Sequence, residues 1–203
     1  MAAFRSLYVA IFAGFVSTTA ATMAAIATTR VAAFRGMMPV YGLINMPLMV
    51  PEIVTGVALL ITFAWVKEYT QYFGMGYIIA AHTAFCIPFA YLPIRARLEG
   101  MNKSYEEAAQ DLYANRFATF RRVTLPLLWP GILAGFTLAF VTSLDDFLTS
   151  FFLSGPGSTT LPVYIFSAIR SGISPEINAI STVMLVISVA LVVLSFILGR
   201  IRR

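Results

Sequence analysis

The sequence predicts an all-α fold, a polytopic bundle of helices that span a membrane. Of the 203 residues, 59% are hydrophobic and 11% are charged, which is far more apolar than a soluble domain. Several apolar runs reach the roughly 20 residues that a helix needs to cross the hydrocarbon core. Because these runs lack a period of two, the pattern favours helices over a barrel. In a membrane protein, a net charge of +5 usually reflects basic residues in the loops on one side of the membrane. Nucleic-acid binding is therefore not predicted.

Five hydrophobic spans follow one another along the chain. The first is rich in Ala, Thr, Ser and Gly, whose small side chains allow helices to approach closely. The second contains Pro39, Pro47 and Pro51, which should bend or break its inner part. The five spans cover residues 7–29, 38–66, 77–94, 127–153 and 177–199.

Residues 154–176, between the fourth and fifth spans, are more than a plain loop. Val163, Phe166 and Ile169 recur there at intervals of three, which is typical of an amphipathic helix. The pattern predicts a short interfacial or re-entrant helix at this end of the bundle.

The basic residues indicate which loops face the cytoplasm. Of the 14 Lys and Arg residues, Arg5, Lys67 and Arg170 lie in one set of loops and all others lie in the opposite set. By the positive-inside rule, the larger set is cytoplasmic, and so is the C-terminus. Five spans that end inside require an N-terminus outside, yet the short polar start is not a signal peptide, so a further helix is expected before it. The cytoplasmic set is Arg30, Arg35, Arg95, Arg97, Lys103, Arg116, Arg121, Arg122, Arg200, Arg202 and Arg203.

The polar segment at about residues 98–126 predicts two short helices on the cytoplasmic face. Ser104 and Glu107 have the spacing of a capping box, and the acidic residues Glu106, Glu107 and Asp111 suit the first turns of a helix. The chain should then turn near residues 113–115, form a second helix, and stop at Pro126. Taken alone, this pattern also fits an amphipathic connector that touches only lipid headgroups.

The letters EEAAQDLYANRFATFRRVTLPLLWPGI resemble the EAA loop of ABC importer permeases. That family pattern is EAA, three residues, Gly, and later a hydrophobic residue before LP. The positions that fill it here are Glu107, Ala108, Ala109, Leu125 and Pro126. In the family the loop is a coupling helix that docks on a cytoplasmic ATPase. The resemblance therefore implies an ATPase-coupling role for Ser104, Glu107, Ala108, Ala109, Asp111, Tyr113, Leu125 and Pro126.

Tyr113 departs from the family pattern, because it occupies the glycine position. Glycine adopts a left-handed turn at little cost and tyrosine does not. The resemblance therefore predicts that either Asn115 takes the left-handed conformation or the turn is redrawn.

The resemblance extends over nearly the whole chain. MPLMVPEIVTGVALLITF, SLDDFLTSFFLSGPGSTTLP and SGISPEINAIST are similar to the putrescine and spermidine branch of these permeases. It implies a single permease domain, residues 1–203, with the type I ABC importer fold in a bacterial inner membrane. Family members of this type have six spans, so the first helix is expected to be missing here. The implied partners are a second homologous permease, two cytoplasmic ATPase subunits and an extracytoplasmic substrate-binding protein.

The chain is not predicted to be an enzyme. It contains no phosphate-binding loop of the G-x-x-x-x-G-K-[ST] type, so ATP and its Mg²⁺ are expected on the partner ATPases, and no cofactor on this chain. His82 is expected to be a packed, hydrogen-bonded residue, because no acidic or cysteine neighbour has metal-ligand spacing. No metal site is predicted, and the one cysteine, Cys86, cannot form a disulfide within the chain.

Three carboxylates in the spans are the candidate substrate-pathway residues. Glu52 follows Pro51 in mid-span, where a charge costs roughly 2.5–3.5 kcal/mol, so it either attracts a cation or is neutralised by a proton or a neighbouring helix. Asp145 and Asp146 lie near the outer end of the fourth span, where they either attract a multiply charged amine or cap a helix end. Neighbours on a helix point about 100° apart, so one aspartate is expected to face the pathway.

Two other functions stay open on the sequence. The same class of permease could carry another solute, such as an opine, thiamine or ferric iron. A self-contained channel or secondary transporter would need no ATPase and no coupling surface.

Overall fold

The computed structural model describes residues 1–31, 35–71, 74–155, 157–171 and 175–201, and the regular structure in these ranges is helical. A π-helical turn, Phe120–Thr124, joins the sixth helix to the seventh. The helices are α1 Ala2–Thr29, α2 Met37–Met49, α3 Glu52–Thr70, α4 Met75–Glu99, α5 Ser104–Asp111, α6 Arg116–Thr119, α7 Leu125–Asp145, α8 Leu148–Leu153, α9 Leu161–Ser171 and α10 Pro175–Ile201.

Five helical segments of the described chain are long and apolar enough to cross a membrane, which confirms the five predicted spans. Each overlaps the span predicted from hydropathy, but the bounds differ: the second segment begins at Glu52 instead of residue 38, and the fourth begins at Arg116 instead of residue 127. The segments are Ala2–Thr29, Glu52–Thr70, Met75–Glu99, Arg116–Asp145 and Asn178–Ile197.

The core lies where α1, α4 and α7 pack against one another. Small residues allow this approach, as predicted for the first span: Ala21 and Ala25 of α1 are fully buried against α4 and α7. On α7, a Cβ placed on Gly135 would lie 2.8 Å from the backbone oxygen of Ala90 in α4. The backbones therefore touch where a larger residue would keep them apart.

The helices α3 and α10 lie at the periphery. Only 6% of the most apolar window of each is buried, against 50% for α1 and α4. Their apolar surfaces are thus available to lipid or to another membrane subunit.

The second span is broken near its middle, as its prolines predict. The helix α2 ends at Met49, Val50 and Pro51 have extended ψ angles, and α3 begins at Glu52. A proline disfavours the helical conformation in the residue before it, which accounts for the break at Val50. Pro47 is accommodated inside α2.

The fourth span differs from its prediction at both ends. It was expected to continue to Leu153, which is wrong: α7 ends at Asp145, Asp146 is extended, and α8 starts afresh at Leu148. Pro126 was expected to stop the preceding helix, which is also wrong, because Arg116–Asp145 runs as one helical segment. In the π turn before Pro126, the Leu125 N–H donates to Phe120 O five residues earlier, and this wider turn accommodates the proline.

The predicted short helix in residues 154–176 is confirmed as α9. Val163 is buried but Ile169 is exposed, so the apolar residues spaced three apart are not buried to the same extent along the helix. Its first residue is tied to the start of α1, because the Leu161 N–H donates to Ser6 Oγ at 2.7 Å.

Candidate functional site

Two of the three predicted pathway carboxylates meet at the helix breaks. Glu52 is the first residue of α3, and Asp146 is the extended residue directly after α7. Their carboxyl groups lie close enough to interact directly. The approach is possible because α3 packs on α8, where a Cβ on Gly56 would lie 2.9 Å from the Phe152 ring. Glu52 lies one turn before Gly56, so it shares this face of α3.

Asp146 is held from several directions. It is 6% exposed, and its carboxylate accepts hydrogen bonds from the backbone N–H groups of Thr149 (3.3 Å) and Ser150 (2.8 Å). These groups lie in the first turn of α8, where N–H groups have no partner within the helix. The expectation that an aspartate here caps a helix end is therefore met by Asp146, on α8. The Glu52 carboxyl group also lies near this carboxylate.

His82 of α4 completes this cluster. Its side chain is fully buried, with Nδ1 2.8 Å from Ser143 Oγ and Nε2 3.1 Å from Ser150 Oγ. Nε2 also lies 3.3 Å from Asp146 Oδ2. The prediction of a packed, hydrogen-bonded histidine is confirmed, and its acidic neighbour is a contact that sequence spacing does not reveal.

Asp145 points elsewhere. It is exposed and lines a cleft of about 480 Å³ between α7, α9 and α10, together with Phe166 and Ser188. The Arg170 guanidinium lies 4.7 Å above the Phe166 ring, so the cleft already has a cation of this chain beside it. The structure thus brings Asp146 to Glu52 and leaves Asp145 apart.

The arrangement suits a passing cation better than a bound metal. Two carboxylates at close range repel each other when both are ionised, and a positive group between them removes that repulsion. Glu52 is exposed at the surface of this chain, so the pair can be approached from outside the bundle. Within the described ranges, no three His, Cys, Asp or Glu side chains are placed to hold a metal ion.

The predicted coupling segment begins at Ser104, as expected, but its cap differs from the prediction. No side chain caps α5 in the manner of a capping box; instead Asn102 Oδ1 accepts a hydrogen bond from the Ser104 N–H at 3.0 Å. Ser104 is already the first helical residue, so its hydroxyl is not at the capping position. Asp111 was expected in the first turns and is the last residue of α5.

The two faces of α5 have different surroundings. Glu107 and Ala108 point outward and are exposed, whereas Glu106 and Ala109 are half-buried against the bundle. The Glu106 carboxylate accepts hydrogen bonds from Arg30 Nε (3.2 Å to Oε1) and from Thr124 Oγ1 (2.8 Å). Arg30 lies directly after α1 and Thr124 directly before α7, so one carboxylate ties α5 to both helices.

Tyr113 itself adopts the left-handed conformation, with φ of 62°. The Tyr113 N–H donates to Gln110 O and the Ala114 N–H to Ala109 O, the hydrogen bonds of a Schellman motif that ends α5. Both predicted alternatives are wrong: the turn is kept, and Asn115 has φ of −72° and caps α6 through Ala118 N–H. The Tyr113 side chain is 98% exposed.

Leu125 and Pro126 start α7 behind the π turn. Leu125 is half-buried and Pro126 is exposed, on the same side of the bundle as α5. Thr124, the residue before Leu125, donates a hydrogen bond to Glu106 of α5.

Two functional candidates were missed or undervalued on the sequence. Glu106 was noted only as an acidic first-turn residue, yet it makes the contacts that join α5 to the bundle. Its spacing of three from Ala109 places both on one helix face, which was the available signal. His82 had no such signal, because its partners lie in α7 and α8.

The sequence matches a family model and several named relatives. Residues 6–202 match the family described as binding-protein-dependent transport system inner membrane component. The chain is 39% identical to the putrescine transport system permease protein PotI of Escherichia coli K12, over 89% of this chain and 65% of PotI. It is 39% identical to the spermidine/putrescine transport system permease protein PotC of Haemophilus influenzae, over 98% of this chain and 76% of that protein.

Solved structures with the same fold are also transporters. The MetNI methionine ABC transporter in an inward-facing conformation superposes with a TM-score of 0.73 at 20% identity, covering 98% of this chain and 92% of that one. An amino acid ABC transporter superposes with a TM-score of 0.69 at 17% identity, covering 98% and 91%. At these identities the likeness concerns the fold. The sequence match over residues 6–202 shows that this chain belongs to the family of inner membrane components of binding-protein-dependent transport systems.

Proposed function

We propose that this chain is a membrane-spanning permease subunit of an ATP-driven importer for putrescine or another polyamine. The observation that carries the proposal is the meeting of Glu52 and Asp146 at two helix breaks, in a chain 39% identical to polyamine permeases. Polyamines carry several ammonium groups separated by apolar methylene segments. A carboxylate pair between apolar helices complements one such group.

The pathway in this proposal runs past Glu52 and Asp146, which lie at the junction of α3, α7 and α8. Each ammonium group that reaches the pair exchanges part of its hydration for carboxylate oxygens. Since Asp146 keeps hydrogen bonds from two backbone N–H groups, its orientation does not depend on the substrate. Asp145 lies in a separate cleft and serves as an outer charge that attracts the substrate.

The coupling part of the proposal assigns the outward face of α5 to a cytoplasmic ATPase. Glu107 and Ala108 lie on that face and are exposed, and Tyr113 is exposed at its end. A pull on α5 reaches the membrane through Glu106, which is bonded to Arg30 and Thr124. ATP binding by the ATPase pair would thereby move α1 and α7 and switch the pathway between its two open states.

The remaining partners and the orientation follow from the family. Its name requires a binding protein, and we propose a second homologous permease and two ATPase subunits in addition. The structure brings Arg30 and Glu106 together at one end of the bundle. We propose that this end, with α5 and the C-terminus, faces the cytoplasm.

Uptake by the complete importer tests the proposal. The complex with its second permease, ATPase and binding protein is reconstituted in vesicles, and ATP-dependent uptake of labelled putrescine, spermidine, thiamine and ferric iron is compared. We expect uptake of a polyamine that needs ATP and the binding protein. Uptake without the ATPase subunits would instead indicate a self-contained channel or secondary transporter.

The coupling surface is tested with a cysteine at Ala108. A crosslinker attached there should join α5 to the ATPase subunit, and Glu107→Arg should prevent both the crosslink and ATP-driven uptake. Labelling of the same cysteine only by a reagent added on the extracytoplasmic side would overturn the orientation.

A further inference from the structure

We propose that His82 is a positioning residue that holds the Asp146 carboxylate in the pathway through its Nε2–H group. This inference rests on the proposed function, because it takes Asp146 as a pathway residue. The observation is the buried contact between His82 on α4 and the break between α7 and α8, with Nε2 3.3 Å from Asp146 Oδ2.

The neighbours of His82 determine which ring nitrogen carries the proton. Nε2 lies 3.3 Å from Asp146 Oδ2, and an ionised carboxylate only accepts hydrogen bonds, so we assign the ring proton to Nε2. In the neutral ring, Nδ1 is then an acceptor, and the Ser143 hydroxyl at 2.8 Å donates to it. Ser150 Oγ lies 3.1 Å from Nε2 and faces the same N–H group.

His82 belongs to a helix of the packed core, so its ring is held in a fixed position. It is fully buried on α4, and α4 packs on both α1 and α7 in the core. Ser143 is near the end of α7 and Ser150 is in the first turn of α8. One side chain therefore contacts α7, the break and α8 together.

His82 affects transport through the orientation of the Asp146 carboxylate. Asp146 has three sets of neighbours: the backbone N–H groups of α8, His82 of α4 and Glu52 of α3. Without the Nε2–H group, the backbone bonds alone leave the carboxylate free to rotate with α8. A passing ammonium group then reaches Glu52 without a second carboxylate held in a fixed position.

Two amide substitutions separate the two ring nitrogens. The Gln amide nitrogen reaches the place of His Nε2, whereas the Asn side chain reaches only the place of Nδ1. In the complete importer we expect His82→Asn to lower putrescine uptake per assembled complex about tenfold or more, as for the loss of one hydrogen bond to a charged group. His82→Gln should stay within about threefold of the unchanged chain, because it keeps the donor to Asp146.

Assembly and ATP hydrolysis distinguish positioning from packing. Both variants should form the complex and hydrolyse ATP with the binding protein present, so that His82→Asn lowers the uptake per ATP hydrolysed. Ser143→Ala removes the partner of Nδ1 only and should resemble His82→Gln. Equal losses of uptake in His82→Asn, His82→Gln and Ser143→Ala would overturn the proposal, since a packing role affects all three.

A crosslink that does not depend on transport keeps the two proposals apart. In a chain with Cys86→Ala, cysteines at Gly56 and Phe152 report the approach of α3 to α8, where the two residues touch. We expect His82→Asn to slow this crosslink and His82→Gln to leave it unchanged. An unchanged crosslink in His82→Asn overturns the positioning role. A slowed crosslink with normal uptake, both in His82→Asn and in Asp146→Asn, supports positioning and overturns the pathway role of Asp146.

Discussion

The carboxyl groups of Glu52 and Asp146 lie close together although they belong to different spans, and each stands where a membrane helix is interrupted. An interrupted helix exposes backbone groups that a bilayer cannot satisfy, so such breaks occur where protein or water surrounds them. Here the Asp146 carboxylate satisfies two of these groups itself. The break therefore depends on the Asp146 carboxylate, which satisfies the backbone groups that the break leaves free.

Neutralising either member of the pair should slow polyamine uptake. We expect Glu52→Gln and Asp146→Asn each to lower the uptake rate about tenfold or more, because each removes a charge that interacts with an ammonium group. Uptake of labelled putrescine by reconstituted importer measures the effect. Glu68→Gln is the control, since Glu68 is exposed at the far end of α3 and should transport normally. Normal rates in both pair variants would remove the pathway role of these carboxylates.

Replacing Tyr113 by glycine should stabilise this chain. A left-handed residue other than glycine costs about 1–2 kcal/mol, and glycine removes this cost. Because glycine loses more backbone entropy on folding, the net gain in stability is expected to be on the order of 1 kcal/mol. The melting temperature in detergent measures it. Leu112→Gly is the matched control, because Leu112 is also exposed but has φ of −86°, and it should lower the melting temperature.

The same Tyr113→Gly variant should bind the ATPase less well if the side chain lies in the interface. Nearly all of the Tyr113 side chain is exposed, so its loss removes no packing within the chain. Co-purification of the ATPase subunit measures this separate effect. A lower melting temperature in Tyr113→Gly would contradict the assigned strain.

Glu106 and Glu107 should have separable roles. Glu106→Gln removes the negative charge that pairs with Arg30 and weakens the hydrogen bond from Thr124, so it should destabilise the docking of α5 by about 1–3 kcal/mol. Glu107→Gln, on the exposed face, should leave that docking unchanged and weaken ATPase binding. Limited trypsin digestion after Arg116 reports the docking of the segment. Equal digestion rates in the two variants would show that Glu106 does not hold α5.

The backbone approach at Gly135 should tolerate no added carbon. Gly135→Ala would place a Cβ 2.8 Å from Ala90 O and 3.0 Å from Ile94 Cδ1, so we expect a loss of about 1–3 kcal/mol. Gly42→Ala is the control, since nothing lies within 4 Å of its Cβ position inside α2, and a gain of about 0.5–1 kcal/mol is expected. Melting temperatures in detergent should move in opposite directions for the two variants.

Much of the architecture could be predicted because it depends on local sequence. The length of an apolar run is enough to predict a membrane-spanning helix. Pro51 predicts the break in the second span because it disfavours a helical conformation at Val50. The prediction at Pro126 was wrong because it also considered only the local effect of the proline. Its local effect would end a helix in isolation, but a π turn on the preceding residues made room for it.

The sequence by itself determined the five spans, the α5 segment and the three candidate carboxylates, because hydropathy and spacing report what a residue does to its own helix. Only the tertiary structure decided that Asp146 rather than Asp145 meets Glu52, and that Glu106 rather than Glu107 holds α5. It also placed His82 beside Asp146. These contacts join different helices, and which face of each helix turns toward its neighbour is set by the packing of small residues between α1, α4 and α7.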